Sequence, residues 1–126
     1  VPENSAYASM EKVPLSLYHT EPTALYDEGS QQEAMGIFRK NKIAPRVEYT
    51  SRDDNLILSL IENNLCIGYM GQLILTKNSY RVVSRPTEPQ YFREIMFVVR
   101  SIENTSPAAA RFVEFFRKYL AQEDQQ

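Results

Sequence analysis

"VEYTSRDDNLILSLIENNLCIGYMG", residues 47–71, decides the fold. Val47 and Tyr49 alternate with polar neighbours, the period of a half-buried strand. From there the period lengthens. Leu56, Ile57, Leu60 and Ile61 recur at helical spacing and predict one buried stripe. Ser51 is placed to cap that helix, with Asp54 three positions on, and Asp53 suits the positive end of the helix dipole. Asn64 is the commonest non-glycine choice for the left-handed residue that stops a helix. "LCIGYM", residues 65–70, then begins at once as a short apolar strand of the kind buried on both faces.

The same pattern precedes this block. "TALYD", residues 23–27, predicts a strand, and Ser30 with Glu33 forms an S-x-x-E capping box that starts a helix at Ser30. Ala34, Met35, Ile37 and Phe38 make its apolar stripe, and Ile43-Ala44-Pro45 ends it, because the residue before a proline avoids helical geometry. "RVEYT", residues 46–50, is the next strand. The order strand, helix, strand, helix, strand with short connections predicts an α/β fold: a parallel or mixed sheet, right-handed crossovers and flanking helices.

The flanks are read less regularly. Residues 3–22 are polar and punctuated by proline, with anchors at Val13, Leu15 and Leu17, and predict a connecting segment with at most one short helix or turn. "QLIL" predicts a helical turn, "YRVVSRP" (80–86) a strand and "REIMFVVR" (93–100) a strong strand. The chain closes on a helix capped by Ser106 with Pro107 first. Ala109, Phe112, Val113, Phe116 and Leu120 form one face, widened by Phe115 and Tyr119, and 122–126 are a polar tail.

The 126 residues suit one domain able to bury roughly two-thirds of its unfolded surface. A net charge of −2 argues against a nucleic-acid surface within this chain. No apolar run approaches a membrane span, and residues 1–20 carry no signal-peptide core. Cys66 is the single cysteine, so no internal disulfide forms; with His19 the single histidine, the usual zinc site is excluded. The chain opens on Val1 and reads as the interior of something longer.

No catalytic constellation stands out. Phosphate-binding glycine motifs and G-x-S-x-G are missing. A triad would need His19, in a terminal loop; Cys66 sits in an apolar strand with no base beside it; Asp53-Asp54 reads as a helix start. The sequence offers no catalytic residue, no metal ligand set and no cofactor. A binding constellation remains. Ligands of open parallel sheets bind beyond the carboxyl ends of the strands. Those ends are Tyr26-Asp27-Glu28-Gly29-Ser30, Thr50-Ser51 and Gly68-Tyr69-Met70-Gly71, and two of them open helices whose free N–H groups can hold a polar ligand. Each helix end would contribute about 0.3–1 kcal/mol. Each residue also has a purely structural reading: Ser30 and Ser51 as caps, Gly68 and Gly71 as turn formers, Tyr69 as core. Asp27 and Glu28 oppose an anion, which implies a neutral or cationic ligand or side chains that point away from the cleft.

Residues 47–71, followed by "REIMFVVRSIENTSPAAARFVEFFRKYL" (93–120), resemble the effector-binding domain of LysR-type transcriptional regulators. That family carries a block like "v-aG-l-G-i-a-l-l-P" and a final strand leading to an "s-p-a-a-r-x-F-i-d-f-l" helix. Residues 13–45 fit it too. The family's paired glycines stand here as Asn64 and Cys66, and its proline as Gly71. The resemblance implies one lobe of a type 2 periplasmic-binding-protein-like fold: 1–20 a crossover segment, 21–100 the α/β lobe, 101–126 the C-terminal helix and tail. Most of the first lobe and the N-terminal DNA-binding domain would lie outside this chain. It further implies a cytoplasmic homo-oligomer that is not an enzyme. DNA is contacted only through the missing domain, no membrane is involved, and a small-molecule effector is held by Tyr26, Gly29, Ser30, Thr50, Ser51, Gly68, Tyr69 and Gly71. The C-terminal helix would return to the first lobe, and this piece alone would self-associate. The alternatives are a lobe of an extracytoplasmic solute-binding protein, which shares the architecture, and an α/β enzyme.

Overall fold

The computed structural model describes residues 1–27, 30–75, 79–96, 98, 101 and 105–123, with the backbone alone at 30–32 and 122–123. Two compact units divide the chain, Val1–Arg93 and Glu94–Gln126.

The first unit is built on three parallel strands. Strand β2 (Thr23–Tyr26) lies between β3 (Val47–Ser51) and β4 (Ile67–Gly68). Helix α1 (Ser30–Lys40) joins β2 to β3, and α2 (Asp54–Glu62) carries the chain back across β2 to β4. The predicted strand-helix order and parallel sheet are therefore present.

Strand alternation sorts the core into two faces. On the α1 face, Leu25 and Ile67 pack with Ala34 and Phe38, and Val13, Leu15 and Tyr18 complete the cluster. On the α2 face, Ala24 packs with Ile57, Ile61 and Cys66. Leu25 and Phe38 are fully buried, each worth about 1.5–3 kcal/mol of hydrophobic free energy.

Both helices stop by the same device. Lys42 (φ 58°) and Asn64 (φ 60°) take the left-handed conformation. The N–H groups of Lys42 and Ile43 donate to Arg39 and Phe38; those of Asn64 and Leu65 donate to Ile61 and Leu60. This paired closure satisfies the carbonyls that the helix end leaves free. Asn64 behaves as its sequence predicts. At α1 the stop comes at Lys42, before the proline-led ending expected at 43–45.

Three expectations need correction. Residues 3–22 hold two 3-10 turns (Ala6–Ser9 and Leu15–His19) and strand β1 (Val13–Pro14). β1 pairs in parallel with β5 (Thr87–Glu88), and an exposed Lys12–Glu88 ion pair (2.8 Å) flanks the ladder. The predicted strand at 80–86 is one antiparallel bridge, Val82 with Pro2. Across the predicted strand at 93–100, residues 93–96 and 98 are irregular, and Ile95, Met96 and Val98 are exposed; 97, 99 and 100 lie outside the described residues. Between β4 and β5, the "QLIL" turn appears as α3 (Gln72–Leu75).

The second unit contains α4 (Pro107–Glu123). The Ser106 hydroxyl caps it by accepting the Ala109 N–H (3.3 Å), as predicted. Phe112 and Phe116 stack at 6.1 Å, and Glu114 pairs with Lys118 one turn on (2.8 Å). Phe112, Phe115, Tyr119 and Leu120 are exposed. Of the predicted tail, 124–126 lie outside the described residues.

Candidate functional site

The parallel register places the carboxyl ends of all three strands on one edge. Tyr26 is level with Ser51, and Ala24 with Gly68. The path of the chain reverses direction at β2, with α1 packed on one face and α2 on the other. That reversal opens a crevice in α/β sheets.

Alternation assigns each edge residue a face. Leu25, Thr50 and Tyr69 belong to the α1 face. Tyr26, Ser51 and Met70 belong to the α2 face, where Tyr26 and Met70 pack against the Ala24–Ile57–Ile61 cluster. Thr50 is exposed, whereas Tyr69 is half-buried. The Tyr69 ring meets Phe38 at 5.4 Å and Tyr18 at 5.9 Å, both edge-on. Burial, the larger influence, holds the Tyr69 phenol above its ordinary range. Tyr18, deeper still, donates its hydroxyl to the Gly68 carbonyl (3.0 Å).

The glycines differ. A Cβ at Gly68 would stand 2.7 Å from Ile61 Cδ1, so this bare backbone admits α2 onto the sheet. At Gly71 a Cβ would meet nothing within 4 Å, leaving its surroundings open. Ser30 is the first residue of α1. Gly29 and Glu28 lie outside the described residues.

The loop between β3 and α2 caps the helix differently from expectation. β3 extends through Ser51, so the turn needs two more residues before helical geometry begins. Asp53 is the cap, accepting the Asn55 N–H (2.9 Å). The Ser51 hydroxyl accepts the Asp53 N–H (2.9 Å) and donates to the Asp53 carbonyl (3.3 Å). Asp27, at the end of β2, pairs with Arg52 at 3.2 Å. That pair is exposed and worth under about 1 kcal/mol, but it turns the Asp27 charge toward a cation. Asp54, which the sequence marks only as part of a helix start, holds a carboxylate oxygen shut off from solvent with no hydrogen-bond partner among the described residues. Its spacing from Ile57, Leu58 and Ile61 is the sequence signal that it faces the sheet.

A separate pocket of about 300 Å³ lies at the other end of α2, lined by Glu3, Asn4, Glu62, Asn63, Asn64 and Arg81. Arg81 already pairs there with Glu62 (2.9 Å), whose carboxyl it holds below the ordinary range. The strand ends do not reach this pocket. Burial pushes the Cys66 thiol up to about 11, opposite to what a nucleophile needs. The exposed His19 ring bonds the Ala44 carbonyl (3.0 Å). Among the described residues, no group of three His, Cys, Asp or Glu side chains could hold a metal. No described helix is long and apolar enough to cross a membrane.

The LysR substrate-binding domain model matches residues 1–121. The chain belongs to this family. It is 24% identical over 119 residues to the uncharacterised HTH-type transcriptional regulator YoaU of Bacillus subtilis (strain 168), covering 93% of this chain and 40% of YoaU. It is also 24% identical over 118 residues to YvbU of the same organism, described in the same words, covering 92% and 40%. The chain thus spans about two-fifths of the length of these relatives. The crystal structure of HinK, a LysR family transcriptional regulator from Pseudomonas aeruginosa, superposes with a TM-score of 0.55 at 18% identity, covering 71% of this chain and 29% of HinK. That likeness speaks to fold. The LysR substrate-binding domain has the type 2 periplasmic-binding-protein-like architecture, and the parallel sheet with flanking helices agrees with it.

Proposed function

We propose that this chain is the second lobe of the effector-binding part of a LysR-type transcriptional regulator, and that a small molecule binds against the carboxyl edge of β3-β2-β4. The observation that carries this reading is the convergence of three parallel strand ends where the chain reverses at β2. Tyr26 and Thr50 offer hydroxyls there, Ser51 a hydroxyl that also bonds the Asp53 backbone, and Gly71 open backbone. Ser30 opens α1 after β2, and Gly29 precedes it in the sequence. Gly68 contributes by seating α2, and Tyr69 chiefly by its ring packing.

In this reading residues 1–20 cross between lobes, 21–100 form the lobe, and α4 returns to the first lobe. DNA contact belongs to a domain outside this chain, in a cytoplasmic homo-oligomer. Ligand binding shifts the assembly between two arrangements only as far as the ligand favours one of them.

The test is a metabolite library scanned by thermal shift on the longer native polypeptide. A binder is expected to raise its Tm and to change transcription from a reporter. Thr50→Val with Ser51→Ala should weaken that binder while leaving the unliganded Tm within a few degrees. Binders whose affinity ignores these substitutions would refute the placement.

A further inference from the structure

Strand β4 is only two residues long, and its register with β2 stops at Ala24 opposite Gly68. Tyr69, Met70 and Gly71 run on beyond that pair, and a side chain from a distant segment meets them there. The Tyr18 hydroxyl donates to the Gly68 carbonyl (3.0 Å) across 50 positions of sequence. The Tyr18 ring meets the Tyr69 ring edge-on at 5.9 Å, and both rings rest on Phe38, at 5.0 and 5.4 Å. Tyr18 is 3% exposed, so all these contacts are made in the core. Burial holds its phenol far above its ordinary range, so the hydroxyl keeps the proton that it donates.

Tyr18 is itself anchored at the opposite end. It belongs to the 3-10 turn Leu15–His19, and its carbonyl accepts the Arg46 N–H (2.8 Å) just before β3 begins. The His19 ring beside it bonds the Ala44 carbonyl (3.0 Å). Tyr18 therefore spans the α1 face of the sheet, tied by its backbone to the amino end of β3 and by its hydroxyl to the carboxyl end of β4. Filling the core would take only a ring, as Phe38 shows. The hydroxyl goes instead to the one carbonyl that opens the Gly68-to-Gly71 rim. Resting on the reading that this rim borders the effector, we infer that Tyr18 is a positioning residue for effector binding. It acts through Gly68: the hydroxyl fixes where the 69–71 main chain stands, and so how tightly the effector is held.

Tyr18→Phe keeps the ring and deletes the hydroxyl. ¹⁵N relaxation on the 126-residue chain then reads the rim with no ligand needed. Backbone order parameters should fall at Tyr69, Met70 and Gly71, away from the value of about 0.85 typical of rigid backbone, and hold at residues 24–26 and 49–51. Unchanged values at the rim would overturn the inference. So would a fall shared by all three strands, because a residue that only fills the core loosens everything packed on it. Should Tyr18→Phe fail to fold, the unaltered chain decides: its Tyr18 hydroxyl proton should exchange slowly and show a nuclear Overhauser effect to the Gly68 α-protons, and a freely exchanging hydroxyl would overturn the inference. The binding arm uses the longer native polypeptide and those compounds of the library scan that lose affinity on Thr50→Val with Ser51→Ala. Tyr18→Phe should weaken them about fivefold or more, the worth of roughly one hydrogen bond. An unchanged affinity for such compounds would overturn the inference and leave the edge reading standing. If every binder ignores the Thr50 and Ser51 substitutions, the edge reading itself fails and takes the inference with it.

Discussion

Gly68→Ala tests how closely α2 is seated on the sheet. The new Cβ would stand 2.7 Å from Ile61 Cδ1 and 3.8 Å from Ile57 Cγ2. Ile61 is 2% exposed, so its methyl must move within a filled core. Overpacking of this kind costs about 1–3 kcal/mol. The methyl is the end of a side chain, which favours the lower half of that range. Restricting the unfolded chain by replacing glycine returns about 0.4–1 kcal/mol. The net expectation is a loss of about 1 kcal/mol, a fall in Tm of about 4–8 °C for a unit of this size. Ile61→Val removes the offending methyl and alone costs about 0.5–1.5 kcal/mol. Combined with Gly68→Ala it also removes the clash, so the double variant should be about 1 kcal/mol more stable than the sum of the single losses. Urea denaturation followed by circular dichroism measures all four proteins. Additivity within about 0.3 kcal/mol would refute the packing argument. Gly71→Ala, with nothing within 4 Å of its Cβ, serves as control and should stay within about 0.5 kcal/mol of the parent.

Three further outcomes are expected. Lys42→Gly relieves a left-handed lysine (φ 58°) and should stabilise by about 0.5–1 kcal/mol in the same urea assay, with a smaller gain for Asn64→Gly because asparagine tolerates that geometry. Asp53→Ala removes the α2 cap and should cost about 1 kcal/mol, whereas Ser51→Ala should cost less. Cys66 holds its proton in the folded chain up to about pH 11, while an ordinary thiol loses it near 9, so the unfolded state binds fewer protons between those limits. Folding stability should therefore fall as pH rises from about 9 to about 11, and Cys66→Ala should flatten that slope in urea melts taken at stepped pH.

Much of the central sheet was legible in the sequence because its signals are local. Period-two and helical stripes and Asn64 each report on their own segment, although in α2 the predicted stripe residue Leu56 is exposed and Leu58 is buried instead. The missed features depend on something distant. Val13 and Leu15 stood out as anchors, but Tyr18 joins them from a 3-10 segment whose worth comes from packing on Phe38 and Ile67. Its β1 exists only because Thr87 lies beside Val13. The apolar run at 93–100 signals a demand for a sheet neighbour and says nothing about whether one is present. At the site, alternation and register put the three loops on one edge. The choice of Asp53 over Ser51 as cap was hidden, since it depends on how far β3 stays paired with β2. The unpartnered oxygen of Asp54 was hidden for a related reason: solvent exclusion is set by neighbours that spacing alone does not name.

The most direct test of the ligand edge is amide hydrogen exchange on the longer native polypeptide, with and without a compound that shifts its Tm. The account predicts new protection in three separated stretches, 26–30, 50–54 and 68–71. Protection confined to residues 62–64 and 81, around the pocket at the opposite end of α2, would contradict it.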